Sequence, residues 1–392
     1  MELEKRLHAV MEQAIAENEV MGVNVLVKKD GKEAVYCQAG QADREKQKTL
    51  ERDTIFRLYS QTKPITAACA MILMERGQLE LGTPVWDYLP VYENQKVDTG
   101  DGEKSRQRPM LVHDLLRMTS GLVYPDESIP SGRAAGAVFE EACERLYTDN
   151  PMTTRELADR LGECPLAFEP GMSWRYGTSA DILGAVIEVV SGKKLSQFMQ
   201  EEIFGPLEMT DTAFWVPDAK KDRLASVYET VKEDGSKTMK LYTGDNLAIR
   251  NDMAEPPAYE AGGAGLVSTL DDYMKFAEML LCEGTLNGVK ILNPATVRYM
   301  CGGELMPVQQ QSFRDWIGLD GHSYANLMRV CKNPAQTGML AREGEYGWDG
   351  WLGMYFANFP KEHMTILMGT QKKDAGTFSL TRKIRNVLLS TL

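Results

Sequence analysis

Apolar and polar positions along this chain follow two rhythms, and the points where one gives way to the other outline its elements. Residues 1–15, MELEKRLHAVMEQAI, space their apolar side chains for one face of a helix. Two short apolar runs follow, Gly22–Lys28 and Glu33–Gln38, joined by Lys29-Asp-Gly-Lys. An Asp-Gly pair between such runs predicts a β-hairpin. Thr54–Tyr59 is a further strand candidate and runs straight into Ser60-Gln-Thr-Lys-Pro-Ile-Thr. Ala67–Arg76, rich in Ala, Leu and Met, reads as a helix stopped by Gly77.

Helical spacing recurs at 113–118, 137–147, 154–161, 179–190 and 195–203, while 93–109 is polar and predicts an exposed loop. Residues 218–254 are charged and weakly periodic, a long connection with some strand content. Gly262-Gly-Ala-Gly-Leu-Val-Ser-Thr then leads into a helix over 270–281, with Thr269 or Ser268 as its cap. Trp351–Phe359 and Met364–Thr370 read as strands joined by Phe359-Pro-Lys-Glu-His, and a helix over about 379–389 closes the chain. Strands at both ends and helices between predict a discontinuous α/β domain, 1–60 with 255–392, carrying a mostly helical domain, 61–254.

Composition narrows what such a fold can bind. Among 392 residues, 44 Lys and Arg face 56 Asp and Glu, a net charge of −12, and no basic run exceeds two residues. That field disfavours nucleic acid. No window approaches 18 uninterrupted apolar residues, so no membrane span is expected. The first helix lacks the features of a secretory signal, which predicts a cytoplasmic protein. Seven scattered cysteines without a Cys-x-x-Cys pair suit a reducing compartment. The four histidines stand at no metal-ligand spacing, and Asp271-Asp272 suits a helix start better than a metal; no metal or cofactor is expected.

Three segments carry residues with chemistry. Ser60 stands at a strand-to-helix junction, where free amides and the helix dipole favour developing negative charge. Three residues on, Lys63 lies on the same face, close enough to take the Ser60 proton, and Pro64 suits an early helix position. Alone, Ser-x-x-Lys is a common pattern on solvated helix faces. Tyr176 follows Glu169-Pro-Gly on a loop before the helix at 179; beside a lysine ammonium it could serve as base or proton relay. In Trp348-Asp-Gly350 a glycine at a strand edge admits close approach, and the Trp351 amide could join that of Ser60 as an oxyanion donor. The histidines complete no Ser-His site: His113 leads into Leu115-Leu-Arg-Met-Thr-Ser-Gly, His322 lies in a turn-like Asp-Gly-His-Ser expected to be exposed, and His363 marks a strand turn.

In this order and spacing, Ser60-x-x-Lys63, Tyr176-x-Thr178 and Trp348-x-Gly350 resemble the three motifs of the serine β-lactamase and penicillin-binding protein-like superfamily. Leu115–Leu122, Gly77–Val85, Phe168–Gly171, Gly262–Thr269 and Gly350–Tyr355 resemble the same family, over about residues 5 to 390. Its class C β-lactamases and family VIII carboxylesterases look nearest. The resemblance implies an α+β fold of the β-lactamase/transpeptidase type: an antiparallel sheet flanked by helices, an inserted mostly helical domain, and an active site at their interface. It also implies that Ser60 is acylated, that Lys63 and Tyr176 activate it, and that Trp348-Asp349-Gly350 forms one wall.

Two departures bear on substrate. The family's third motif, often Lys-Thr-Gly, supplies a cation or hydroxyl for a β-lactam carboxylate; Trp348 and Asp349 remove the cation and add a carboxylate. If Asp349 faces the pocket, anionic substrates are repelled. Thr178 stands where class C enzymes carry the asparagine that holds the β-lactam side-chain amide. With Trp348 and Trp351 lining an aromatic acyl pocket, the expectation is an esterase for small neutral esters. Acyl transfer through the same Ser-Lys-Tyr site, β-lactamase or D-amino-acid amidase activity, and a non-catalytic binding protein are the alternatives. The partner is then a small ester or amide, with oligomeric state open.

Overall fold

Asp30 and Gly31 both take the left-handed backbone that a two-residue type I′ turn requires, with φ of 51° and 72°. They join β1 (Gly22–Lys29) to β2 (Lys32–Asp43), which pairs in turn with β3 (Lys48–Thr49). The remaining strands of this sheet come from the other end of the chain: β4 (His322–Tyr324), β5 (Arg329–Cys331), β6 (Tyr346–Gly347), β7 (Tyr355–Phe359) and β8 (Met364–Gly369). Their order is β4-β5-β6-β7-β8-β1-β2-β3, with each neighbouring pair antiparallel. The computed structural model describes residues 2–233, 236–317 and 319–392, so Met1 and, within the weakly periodic stretch, residues 234–235 lie outside the description.

Both faces of the sheet are covered, and the alternation along β1 shows how. Val23, Val25 and Val27 point to one side, against α1 (Glu2–Ala16) and the closing helix, Ser379–Leu389. Leu26 points to the other, into the larger core that includes Tyr273, Phe276 and Leu280 of the helix over Leu270–Leu281. A one-residue slip would exchange the two sets, so the pattern fixes the register Leu26↔Leu367. The helix over 270–281 is capped by Thr269, whose hydroxyl accepts the Asp272 amide at 3.2 Å.

Between the two contributions to the sheet run α2 (Lys63–Glu75), α3 (Val112–Arg117), α4 (Pro130–Arg145), α5 (Thr154–Gly162), α6 (Ser179–Ser191) and α7 (Leu195–Met199). Every residue of α2 from Lys63 to Leu73 is buried, so this helix is enclosed on all sides, with α6 among its neighbours. The chain then continues through α8 (Leu270–Leu281), α9 (Pro294–Cys301), α10 (Pro307–Ile317) and α11 (Ser379–Leu389). Among the described residues no helix is long and apolar enough to cross a membrane.

Several elements differ from the sequence reading. The helix expected at 137–147 begins at Pro130, where the proline occupies its first turn. The polar stretch 93–109 holds a short hairpin, Lys96–Asp98 with Glu103–Ser105, and 218–254 holds a longer one, Val227–Glu233 with Ser236–Tyr242. The strand read over 351–359 is confined to 355–359, because Gly353 turns the chain at φ 91°. His322 is a correction: it sits on β4 and is buried, with Nε2 3.8 Å from Glu345.

Glu345 also pairs with Arg385 of α11 at 2.8 Å, and both side chains are shielded from solvent. The Arg385 guanidinium further bonds the Tyr355 hydroxyl and the Leu340 carbonyl, tying α11 to β7. Arg385→Ala would strand a buried carboxylate. It is expected to destabilise the fold by about 3–5 kcal/mol, read as a lower urea midpoint; an unchanged midpoint would show that Glu345 finds another partner.

Candidate active site

Ser60 is delivered by a short ladder rather than by the main sheet. Phe56-Arg57 pairs with Val267-Ser268, and the Leu58 amide donates to the Leu266 carbonyl at 2.9 Å. At Tyr59 the backbone swings to φ 44°, a left-handed conformation that costs a non-glycine residue about 1–3 kcal/mol. Packing holds it there: the buried Tyr59 ring meets Trp351 edge-on, centroids 4.8 Å apart. The turn puts Ser60 in a 3₁₀ segment, Tyr59–Thr62, directly ahead of α2, with its side chain on the wall of a cleft.

One turn on, Lys63 is wholly buried and its Nζ has three partners: Ser60 Oγ at 3.2 Å, the Tyr124 hydroxyl at 3.1 Å and the Gly263 carbonyl at 2.8 Å. Burial pulls its pKa down to about 7, against the opposing charge of Asp181, so a large fraction is a free amine near neutral pH. The glycine run 262–265 makes this contact possible. A side chain at Gly262 would come within 2.5 Å of the Ala180 carbonyl, and one at Gly265 within 2.7 Å of the Phe214 ring. Bare glycine lets this backbone close onto α6 and the Phe214 ring, and there Thr66 of α2 donates to the Gly262 carbonyl at 2.6 Å.

Tyr176 meets the same pair from the other side. Its ring centroid lies 4.5 Å from the Lys63 Nζ, its hydroxyl bonds Ser60, and Trp348 Nε1 donates to that hydroxyl at 2.9 Å. Burial raises the Tyr176 pKa above the ordinary tyrosine value, partly offset by those two bonds, so it is a neutral phenol. The sequence reading missed Tyr124, which lies two residues beyond the Leu115–Leu122 stretch and completes the contacts of Lys63.

Of the residues read for the third wall and its surroundings, Trp348, Asp349, Gly350 and Trp351 line the cleft and Thr178 does not. Gly350 packs against the Leu58 carbonyl so tightly that any Cβ would collide with it, and its amide donates to Met354 at 2.7 Å. Asp349 does line the cleft, but its carboxylate is paired with buried Arg329 of β5 at 2.8 Å. Burial works to lower the Arg329 pKa, but the charges of Asp349 and Tyr355 and its bond to Asp349 together leave it raised; Asp349 is a paired carboxylate, its own pKa raised by burial against the pull of Arg329. Thr178 is fully buried as the cap residue of α6 and is not among the cleft-lining residues. Trp348 is mostly buried in an aromatic cluster with Tyr176 and Tyr324, one edge reaching the cleft. Trp351 lines the cleft and is pinned by its Nε1 to Asp374 at 2.6 Å. Its amide donates to no backbone carbonyl among the described residues, and the Ser60 amide, in the first turn of its segment, faces no intrahelical acceptor.

The cleft encloses about 990 Å³, ample for a small ester. Tyr59, Phe139, Leu247, Leu319, Trp348 and Trp351 supply its apolar surface. Glu127, Glu140, Asp245 and Asp374 are also on its wall, with no Lys or Arg among the described lining residues.

A buried lysine on a serine, with a tyrosine bonded to the same hydroxyl, defines a serine hydrolase site, and the chain belongs to the Beta-lactamase family, which it matches over residues 7–389. Esterase EstB of Burkholderia gladioli is 34% identical over 371 residues, 90% of this chain and 86% of that protein. An uncharacterized protein of Mycobacterium tuberculosis is 32% identical over 320 residues, 78% of this chain and 74% of that one. Among solved structures, EstCE1, a hydrolase with promiscuous acyltransferase activity, superposes with a TM-score of 0.80 at 26% identity, covering 98% of each chain.

Gly350→Ala tests the close approach to Leu58. The added methyl forces apart the segment that carries Ser60, and a displacement near 1 Å can cost about 100-fold in rate. The expectation is a fall in kcat/KM of about 10- to 100-fold with a modest loss of thermal stability; wild-type kinetics would show that the wall is free to shift.

Proposed function

We propose that the protein is a carboxylesterase that works through an acyl-enzyme on small neutral esters. The observation that carries this reading is the Lys63 amine, buried without a bonded carboxylate and 3.2 Å from Ser60 Oγ. In this reading Ser60 Oγ attacks the ester carbonyl while Lys63 takes its proton. The amides of Ser60 and Trp351 receive the developing oxyanion. The C–O bond of the tetrahedral intermediate then breaks, and the proton passes from Lys63 through the neutral phenol of Tyr176, or of Tyr124, to the departing alkoxide. Water next attacks the carbonyl of the acyl-Ser60, giving a proton to the same pair; the bond from that carbon to Oγ breaks, the proton passes to Ser60 Oγ, and the acid is released.

The charge of the cleft supports neutral over anionic substrates, though not through Asp349. Glu127, Glu140, Asp245 and Asp374 line the cleft with no Lys or Arg among its described lining residues, although Lys372 and Lys373 stand next to Asp374. The esterase EstB at 34% identity supports the same choice. Acyl transfer is the second reading, favoured by the likeness to EstCE1, since an alcohol in place of water would use the same residues. Seven scattered, unpaired cysteines support a reducing compartment such as the cytoplasm.

The test pairs substrates with Ser60→Ala. p-Nitrophenyl butyrate is expected to turn over with kcat/KM at least 100-fold above nitrocefin, and a fluorophosphonate is expected to add one adduct mass that Ser60→Ala loses. Because Lys63 must be unprotonated to act and its pKa lies at about 7, kcat/KM is expected to rise with pH through that value and then level. Fast nitrocefin turnover would overturn the ester preference, and a labelled Ser60→Ala variant would overturn the nucleophile. Added short-chain alcohol that diverts product from acid to ester would favour acyl transfer.

A further inference from the structure

Linked to Lys63 through Gly263, and not among the cleft-lining residues, is a carboxylate that none of the steps above uses. Asp181 is the third residue of α6 and is 3% exposed. Its Oδ1 accepts the Tyr259 hydroxyl at 2.7 Å and the Gly263 amide at 2.9 Å. Its Oδ2 is buried and has no hydrogen-bond partner among the described residues. Gly263 links the two groups: its N–H is held by Asp181, and its carbonyl accepts the Lys63 ammonium or amine at 2.8 Å. The bare Cα of Gly263 gives both neighbours room, since a Cβ there would stand 2.7 Å from Asp181 Oδ2 and 3.0 Å from the Tyr124 hydroxyl.

A buried carboxylate with an open oxygen is costly unless something compensates it. The first turn of α6 offers part of that compensation through its dipole. The rest depends on Lys63. Ser60, Tyr124 and Tyr176 surround the Lys63 amine, Asp181 is joined to it through Gly263 and acts on it as a charge, and both tyrosines are neutral phenols with raised pKa values. Asp181 is thus the one carboxylate whose charge acts on this amine among the described residues.

We propose that Asp181 is the positioning residue for Lys63: clamped by Tyr259, it fixes the Gly263 carbonyl that aims the amine at Ser60, and its carboxylate is the counter-charge for the ammonium formed when Lys63 takes the Ser60 proton. The proton moves from Ser60 Oγ to Lys63 Nζ as the Oγ–carbon bond forms, and Asp181 itself takes no proton. This rests on the reading of Lys63 as the base. The electrostatics agree in direction: Asp181 opposes the lowering of the Lys63 pKa, and Lys63 opposes the raising of that of Asp181, which burial drives.

The experiment measures kcat and KM for p-nitrophenyl butyrate against pH in wild type, Lys63→Ala, Asp181→Asn and Tyr259→Phe, with thermal melting of each. Asp181→Asn is expected to lower kcat about 10- to 100-fold with KM within about twofold, and to move the acid limb of kcat/KM to lower pH, because an amine without its counter-charge holds its proton less well. Tyr259→Phe keeps the carboxylate but frees one of its bonds; it is expected to shift the same limb in the same direction by less, and it carries the test if Asp181→Asn does not fold. A lower kcat with the acid limb unmoved in both variants would overturn the proposal, leaving Asp181 a packing residue. A wild type without that limb, or Lys63→Ala retaining it, would overturn the base reading and this proposal with it.

Discussion

An amine enclosed by protein cannot keep the proton affinity it has in water, and the site of this enzyme is organised around that fact. Lys63 sits at the start of a helix buried on every side from Lys63 to Leu73, with no water-facing surface of its own. Desolvation brings its pKa to about 7, where the free amine and the ammonium coexist at neutral pH. A lysine on an exposed helix face would be protonated and useless as a base. The enclosure of α2 by α6 and by the glycine run at 262–265 is therefore part of the chemistry as well as of the fold.

The same enclosure dictates how the backbone must run. Gly262 and Gly265 allow a loop to close on α6 and on Phe214, and Gly350 allows the third wall to lie against Leu58, two residues before the nucleophile. Strain at Tyr59 is held by Trp351, which is itself pinned by Asp374. From Gly350 the support continues through Asp349 to Arg329, whose guanidinium also lies 5.0 Å from the Tyr355 ring, and Arg385 reaches Tyr355 from α11. The position of Ser60 is thus set by two ends of the chain almost 300 residues apart, which the main sheet brings together.

What could be read from the sequence follows the range of the interactions. Ser60 and Lys63 stand one helical turn apart, so their meeting was visible from spacing alone, and the Asp30-Gly31 turn was visible for the same reason. Tyr176 and the Trp348–Gly350 segment were legible only because three motifs in order resembled a family. Tyr124, Asp181 and Arg329 were not, because each acts on a group 20 to 118 residues away and no local pattern announces it. Spacing also gives no direction: it could not show that Asp349, though on the cleft wall, pairs with Arg329, or that Thr178 is buried at the cap of α6. Strands of two or three residues, as at 322–324, 329–331 and 346–347, are too short to show alternation, which is why His322 read as an exposed turn.

The account stands or falls on the protonation state of one side chain. Lysine labelled with ¹³C at Cε would be followed by NMR between pH 5 and 11, with the Lys63 signal identified by its loss in Lys63→Arg. The account predicts a single titration step near pH 7, well apart from the other lysines. A step above pH 10 would contradict it, since Lys63 would then be an ammonium at neutral pH and could not take the proton from Ser60.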